Sequence, residues 1–278
     1  MAAIVGLVEA RPETIFDDYR RVLELGRVEP PETDDPVTLV TLAAGGDPGF
    51  GSPPWQSEGV ARAWGLEKGD HRVRNLSGTC VADAGGDMLV SPGARPVLLA
   101  VPALETGWGV RNAVAMWAAC RGTGVNDPRR ELAALAATLQ EPTALRPAVV
   151  CDAVLWGVGG GSTGRSYLVR NVLLAGDDPV AVDCIALQLA GMDPAGFPWL
   201  GKLQEAGLGT GDPSAIEVRG HVDLLAKAFA GARWCGPGGC PRRGRIAPAD
   251  LIWRLMRRKR MLRQYRESAW GRLAVTCT

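Results

Sequence analysis

The sequence predicts an α/β fold: a mixed, mostly parallel sheet flanked by helices, with a basic helical C-terminal extension. Three observations carry that expectation. Short apolar, partly β-branched runs such as Ala148–Cys151 alternate with segments of helical periodicity such as Thr14–Leu25. Two glycine-rich stretches, Ala43–Pro54 and Gly157–Gly164, come after predicted strands, the first of them directly, where the ligand-binding turns of open α/β sheets lie. A chain of 278 residues with 46% hydrophobic content is long enough to bury a sizeable core.

Taken in order, Ala3–Glu9 reads as a buried strand and Thr14–Leu25 as an amphipathic helix, with Ile15, Tyr19, Val22 and Leu23 on its apolar side and Gly26 as its C-cap. Glu29–Pro36 is an acidic, proline-rich loop before the strand Val37–Leu42. The glycine-rich stretch follows, then the helix Trp55–Trp64. Asp47, Ser52 and the start of that helix suit an anion; a long surface loop is the alternative. Val73–Leu76 and Met88–Val90 read as short strands, Pro96–Val101 as a strand, and Val110–Cys120 and Arg129–Leu139 as helices. Ala148–Cys151 and Tyr167–Leu174 read as strands, the latter leading to a helix that opens at Pro179. Phe197–Ala206 is helical, Ala215–Val218 a last strand, Val222–Phe229 a closing helix, and Pro248–Tyr265 a basic helix. This predicts an α/β domain over 1–232, with lobes 1–95 and 96–232 as a variant, and a cysteine-containing turn with a basic tail over 233–278.

Composition narrows the function classes. A net charge of +1 gives no strong nucleic-acid signal. Seven scattered cysteines argue against a secreted disulfide framework. The only histidines, His71 and His221, are far apart, which argues against a multi-histidine metal site and a Ser/His/Asp triad. Ala2–Val8 is too short for a signal-peptide core and no apolar run is long enough to cross a bilayer, so a cytoplasmic location is expected. Alanine, arginine and glycine usage suits a GC-rich bacterial genome.

The richest site candidate runs from Pro147 to Gly220. A strand delivers Asp152 toward a loop containing Gly159, Gly160, Gly161, Ser162, Thr163 and Arg165. Free N–H groups of such a loop can form an anion nest, with the hydroxyls and the guanidinium adding donors. The loop lacks the ending of a phosphate-binding P-loop and the following helix of a dinucleotide fingerprint, so a flexible hairpin connection is the alternative. A second strand ends at Gly176, Asp177 and Asp178, and Asp178 before Pro179 suits an N-cap. Asp183 falls within the apolar surface of that helix. A carboxylate there is either hydrogen-bonded structurally or functional. The expectation is that Asp152 and Asp183 share one solvent-reachable hollow as catalytic carboxylates. Asn171, Asp177 and Asp178 join the ligand-binding set.

The run Asp152, glycine-rich loop, Asn171-Val172-Leu173-Leu174-Ala175-Gly176-Asp177-Asp178-Pro179-Val180-Ala181-Val182-Asp183, then Gly191-Met192-Asp193-Pro194 and Gly207-Leu208-Gly209, resembles the C-terminal half of the domain-of-unknown-function family numbered 362. The match covers about 70 residues in order, which makes the pattern fairly specific. The resemblance implies a redox association, since members often accompany iron–sulfur proteins, and no settled activity. It also implies a "P-x-x-K-T-H" segment after the strand Pro96–Val101. Here Glu105 stands at the lysine position and Gly107 at the histidine position, and Trp117 lies near a further expected lysine.

Function is therefore expected to be the holding of a small anionic molecule, with or without a divalent metal, in the Gly/Asp-rich cleft. One alternative is a diverged, non-catalytic binding or scaffold protein whose basic segment 242–272 meets a protein partner or an anionic surface. The other is an iron–sulfur or metal-binding protein acting through Cys235 and Cys240, which lie five residues apart around a turn.

Overall fold

The computed structural model describes residues 2–30, 36–43, 53, 55–67, 69–77, 95–105, 108–121, 128–140, 146–158, 166–227, 263–264 and 267–276. The described elements are β1 (Ala3–Glu9), α1 (Ile15–Gly26), β2 (Val37–Ala43), α2 (Trp55–Ala63), β3 (His71–Ser77), β4 (Val97–Ala100), β5 (Ala103–Glu105), β6 (Gly109–Arg111), α3 (Ala113–Cys120), α4 (Pro128–Leu139), β7 (Ala148–Asp152), β8 (Leu155–Val158), β9 (Ser166–Val169), β10 (Val172–Gly176), α5 (Pro179–Leu189), α6 (Pro198–Glu205), β11 (Ile216–Gly220), α7 (Asp223–Ala226) and α8 (Ala269–Thr276).

Seven strands form a mostly parallel sheet in the order β11-β1-β10-β7-β4-β2-β3. Only β10 runs against its neighbours, pairing antiparallel with both β1 and β7. Alternate strand residues point to opposite faces, and the core divides accordingly. Leu98, Val149, Cys151 and Leu174 pack with α3, α4, α5 and α6 on one face. Val97, Leu99, Val150, Leu173 and Ala175 pack with α1, α2 and Trp270 of α8 on the other. The near-continuous apolar runs of β4 and β7 follow from being covered on both faces.

Glycine sets how closely α1 lies on the sheet. A Cβ on Gly26 would collide with the Ala175 carbonyl, and one on Gly6 with the Val22 carbonyl. Gly26 is therefore the last helical residue rather than the C-cap; Arg27 takes the left-handed capping position at φ 52°.

A second sheet, β6-β5-β8-β9, continues three strands of the first. β4 runs on into β5 through Val101–Pro102, β7 into β8 through Ala153–Val154, and β9 returns into β10 through Arg170–Asn171. Cross-links hold these breaks at one level: Ala153 N–H donates to Val172 O at 2.9 Å and Arg170 N–H to Val154 O at 2.7 Å. The single strand expected over Tyr167–Leu174 is thus two strands. Asn171 separates them in a left-handed conformation, φ 56°, which asparagine tolerates better than most residues. The helix expected from Val110 begins at Ala113, after the short strand β6. Met88–Val90 and most of Pro248–Tyr265 lie outside the described residues. No described helix is long and apolar enough to cross a membrane.

Candidate functional site

β2, β3, β4 and β7 are parallel and end at one edge of the large sheet, at Ala43, Ser77, Ala100 and Asp152. β10 runs the other way. Its last residue, Gly176, pairs with Val149 and Val5 near the amino ends of their strands. Asp177 and Asp178 therefore lie at the opposite edge from Asp152. Three strand steps separate Val149 from Asp152, about 10 Å along the sheet.

Asp152 is fully buried on the face covered by α1 and α2. Its Oδ2 accepts the Tyr19 hydroxyl at 2.7 Å and the Trp55 indole N–H at 3.0 Å. Its Oδ1 accepts the Val154 N–H at 3.0 Å. Burial pushes the carboxyl pKa up, and the Tyr19, Val154 and Trp55 donors hold it back. Asp152 thereby ties the end of β7 to α1 and to the first turn of α2.

Asp183 is fully buried on the other face. Its Oδ1 accepts Ala113 N–H at 2.8 Å and its Oδ2 accepts Val114 N–H at 3.0 Å. A side chain of α5 thus caps α3, satisfying N–H groups that a helix cannot satisfy itself. Burial lifts the Asp183 pKa to about 7; the Val114 and Ala113 N–H groups and the Asn112 amide oppose the rise, and Asp178 adds to it. Cys151 lies on this face, its thiol donating to Asn112 Oδ1 at 3.3 Å. Burial pushes that thiol pKa well up, and Asp183 reinforces the shift.

The shared hollow expected for Asp152 and Asp183 is not formed. Consecutive strand residues point to opposite faces, so Asp152 turns away from the face where Cys151 meets Asn112 and Asp183. Protein donors engage both carboxylates, and both residues are 0% exposed. Approach by a substrate would first require displacing those donors.

Asp178 is the N-cap the sequence predicts. Its Oδ1 accepts Val180 N–H at 2.9 Å and Ala181 N–H at 3.1 Å. Its Oδ2 accepts Thr210 N–H at 2.8 Å, and Arg146 stands 3.9 Å away. Burial raises its pKa against the pull of Ala181, Arg146 and Thr210. The Gly207-Leu208-Gly209 turn serves this node. Arg146 donates to Gly207 O at 2.9 Å, and a Cβ on Gly209 would run into Asp178 Oδ1 and stand 2.6 Å from Val180 Cβ. Asp177 is exposed at the same edge. Asn171 Oδ1 accepts the Trp270 indole N–H at 2.8 Å, so its side chain serves the C-terminal helix.

The segment containing Gly159, Gly160, Gly161, Ser162, Thr163 and Arg165 lies outside the described residues, as do Gly107, Cys235 and Cys240. Its flanks are placed: β8 and β9 pair antiparallel, Leu155 with Val169 through Val158 with Ser166, beyond the carboxyl edge. Among the described residues no group of three or more His, Cys, Asp or Glu side chains forms a metal site. The described Cys120, Cys151 and Cys184 are buried free thiols. Burial raises the pKa of Cys120 and of Cys184 to about 12. These three thiols do not come together as a ligand set for an iron–sulfur cluster.

Sequence reasoning missed Tyr19 and Trp55 as partners of Asp152. Tyr19 reads as one more apolar residue of an amphipathic stripe, and its partner lies 133 residues away. Trp55 carried a usable signal, since it opens the helix directly after a glycine-rich stretch. Comparison of the chain with family models, curated proteins and solved structures gives no match.

Proposed function

We propose that the protein binds a small anionic molecule at the carboxyl edge of the large sheet, between the β2–α2 connection and the β8–β9 connection. The arrangement of the edge carries this reading. Four adjacent parallel strands, β7, β4, β2 and β3, end there, and both glycine-rich stretches leave from strands that finish at or just past it. Ligands of open α/β sheets bind outside the carboxyl ends of the strands. Arg165 supplies the charge in this reading, Ser162 and Thr163 supply hydroxyl donors, and the backbone N–H groups of Gly159, Gly160 and Gly161 supply the nest. Asp152 is the strut beneath the site rather than its acid or base. Asp183, Asp177 and Asp178 stand outside it.

Inorganic pyrophosphate is a suitable probe, because it presents the charge and acceptor oxygens without a base or sugar. A ligand that binds only the folded state raises the melting temperature with concentration. The wild-type chain is expected to show that rise, and Arg165→Ala to lose most of it at an unchanged ligand-free melting temperature. Equal shifts in both proteins would remove Arg165 from the site, and no shift in either would contradict this ligand class.

A further inference from the structure

The C-terminal helix packs on the tryptophan that holds Asp152. The Trp270 ring stacks on Trp55, with centroids 5.4 Å apart and planes tilted by 33°. Trp55 is the residue whose indole N–H holds Asp152. The Trp270 indole N–H reaches the other way, to Asn171 Oδ1 at 2.8 Å. Leu273 and Ala274 pack, partly buried, against the same core. Among the described residues of α8, Trp270 and Gly271 are buried, while Arg272 and Thr276 are exposed.

We propose that α8 is a clasp that opens as a local unit, and that its opening uncovers the Trp55 ring at the carboxyl edge while the sheet stays folded. Even counted with the helical residues 263, 264 and 267 before it, α8 is no longer than helices that are marginal alone in water, so its order rests on docking. What lies beneath does not depend on it. The Tyr19 and Trp55 bonds to Asp152 and the β7–β10 ladder use no atom of α8. Opening leaves Asn171 Oδ1 facing water rather than orphaned, so no buried polar group opposes it. Segments held by few buried side chains open well below the free energy of global unfolding. Access to Trp55 is thereby set by the position of α8. This inference stands apart from the anion reading and survives its failure.

Native-state amide hydrogen exchange on the full-length protein tests it. Peptides covering 267–276 are expected to exchange at least about 100-fold faster than those covering β7 and β10. Asn171→Gly keeps the left-handed backbone and deletes the acceptor. It is expected to speed exchange of 267–276 by about fivefold, the factor that one net hydrogen bond supplies, without changing β7 or β10. In Trp270→Ala, oxidation of Trp55 by N-bromosuccinimide, located by peptide mapping, is expected to rise above wild type at an unchanged β7 and β10 exchange rate. If 267–276 exchanges as slowly as β7 and β10, or if Asn171→Gly accelerates all three together, α8 is an integral part of the fold and the clasp is refuted. Trp55 oxidation equal in Trp270→Ala and wild type would show that α8 is not its cover.

Discussion

Cys151 and Asp152 are consecutive in the chain, and each anchors a buried polar cluster on a different face of the large sheet. The Cys151 thiol donates to Asn112 beside the Asp183 cap of α3, and Asp152 accepts from Tyr19 and Trp55 of α1 and α2. One pair of residues near the end of β7 thus fixes where the helices of both layers sit. Buried polar groups of this kind are stabilising only while every donor and acceptor is met.

Tyr19→Phe removes the shortest of the Asp152 hydrogen bonds and leaves the ring in place. A hydrogen bond to a charged group contributes about 1.5–3 kcal/mol, so urea unfolding is expected to show a loss of that order at an unchanged m-value. A loss below about 0.5 kcal/mol, the range of ordinary surface substitutions, would mean that the Tyr19–Asp152 contact does not hold α1 to β7.

Asp183 makes stability pH-dependent in a definite direction. Its folded pKa of about 7 stands above the ordinary 3.8. Between those values the folded chain keeps a proton that the unfolded chain has released. Its share of the stability is complete below about pH 4 and is lost as pH rises through about 7. The difference corresponds to about 4 kcal/mol. Asp152 and Asp178, also raised, act in the same direction. Asp183→Asn keeps one acceptor for α3 and cannot titrate. It is expected to be less stable than wild type at pH 4.5 and to show a shallower decline toward pH 8. Parallel stability–pH curves for the two proteins would disprove the assignment.

Glycine substitutions separate tight packing from open space. Gly209→Ala drives a methyl group into Asp178 and Val180 at the start of α5; overpacking of this kind costs about 1–3 kcal/mol. Gly201→Ala, within α6 and with nothing within 4 Å, is expected to stabilise by roughly 0.5–1 kcal/mol through helix propensity. Thermal melts of the two variants should move in opposite directions. A neutral Gly209→Ala would mean that the Gly207–Gly209 turn is not seated against the N-cap.

Thiol labelling reads the cysteines directly. Three of the seven cysteines, Cys120, Cys151 and Cys184, are among the described residues and all three are buried, and the pKa of each is raised by burial. Buried, protonated thiols are inert. Iodoacetamide at pH 8 is expected to leave these three unmodified in the folded protein and to modify all seven in urea. Native labelling of Cys151 would show that the α3–α5 face is open.

Much of the fold was legible because it rests on local pattern. The β-branched runs gave β1, β2, β4 and β7, the Asp178–Pro179 pair gave the start of α5, and the Phe197–Ala206 periodicity gave α6. The site was less legible, for two physical reasons. Strand direction is a long-range property, and nothing within Val172–Gly176 says that it runs against β7; that reversal sends Asp177 and Asp178 to the far edge. A buried aspartate also reads alike whether it serves chemistry or satisfies backbone N–H groups, because both uses need a carboxylate among apolar residues. Asp183 does the second, through partners 69 and 70 residues away. The strand break at Asn171 had only a weak local signal, since asparagine favours a left-handed residue without requiring it.

Hydrogen exchange of the wild-type chain with and without inorganic pyrophosphate locates the ligand most directly. Added protection is expected in peptides covering 37–64 and 153–169, on the carboxyl edge, with none at 176–183 or 207–212. Protection confined to those last two segments would place the anion at the Asp178 edge and contradict the site proposed here.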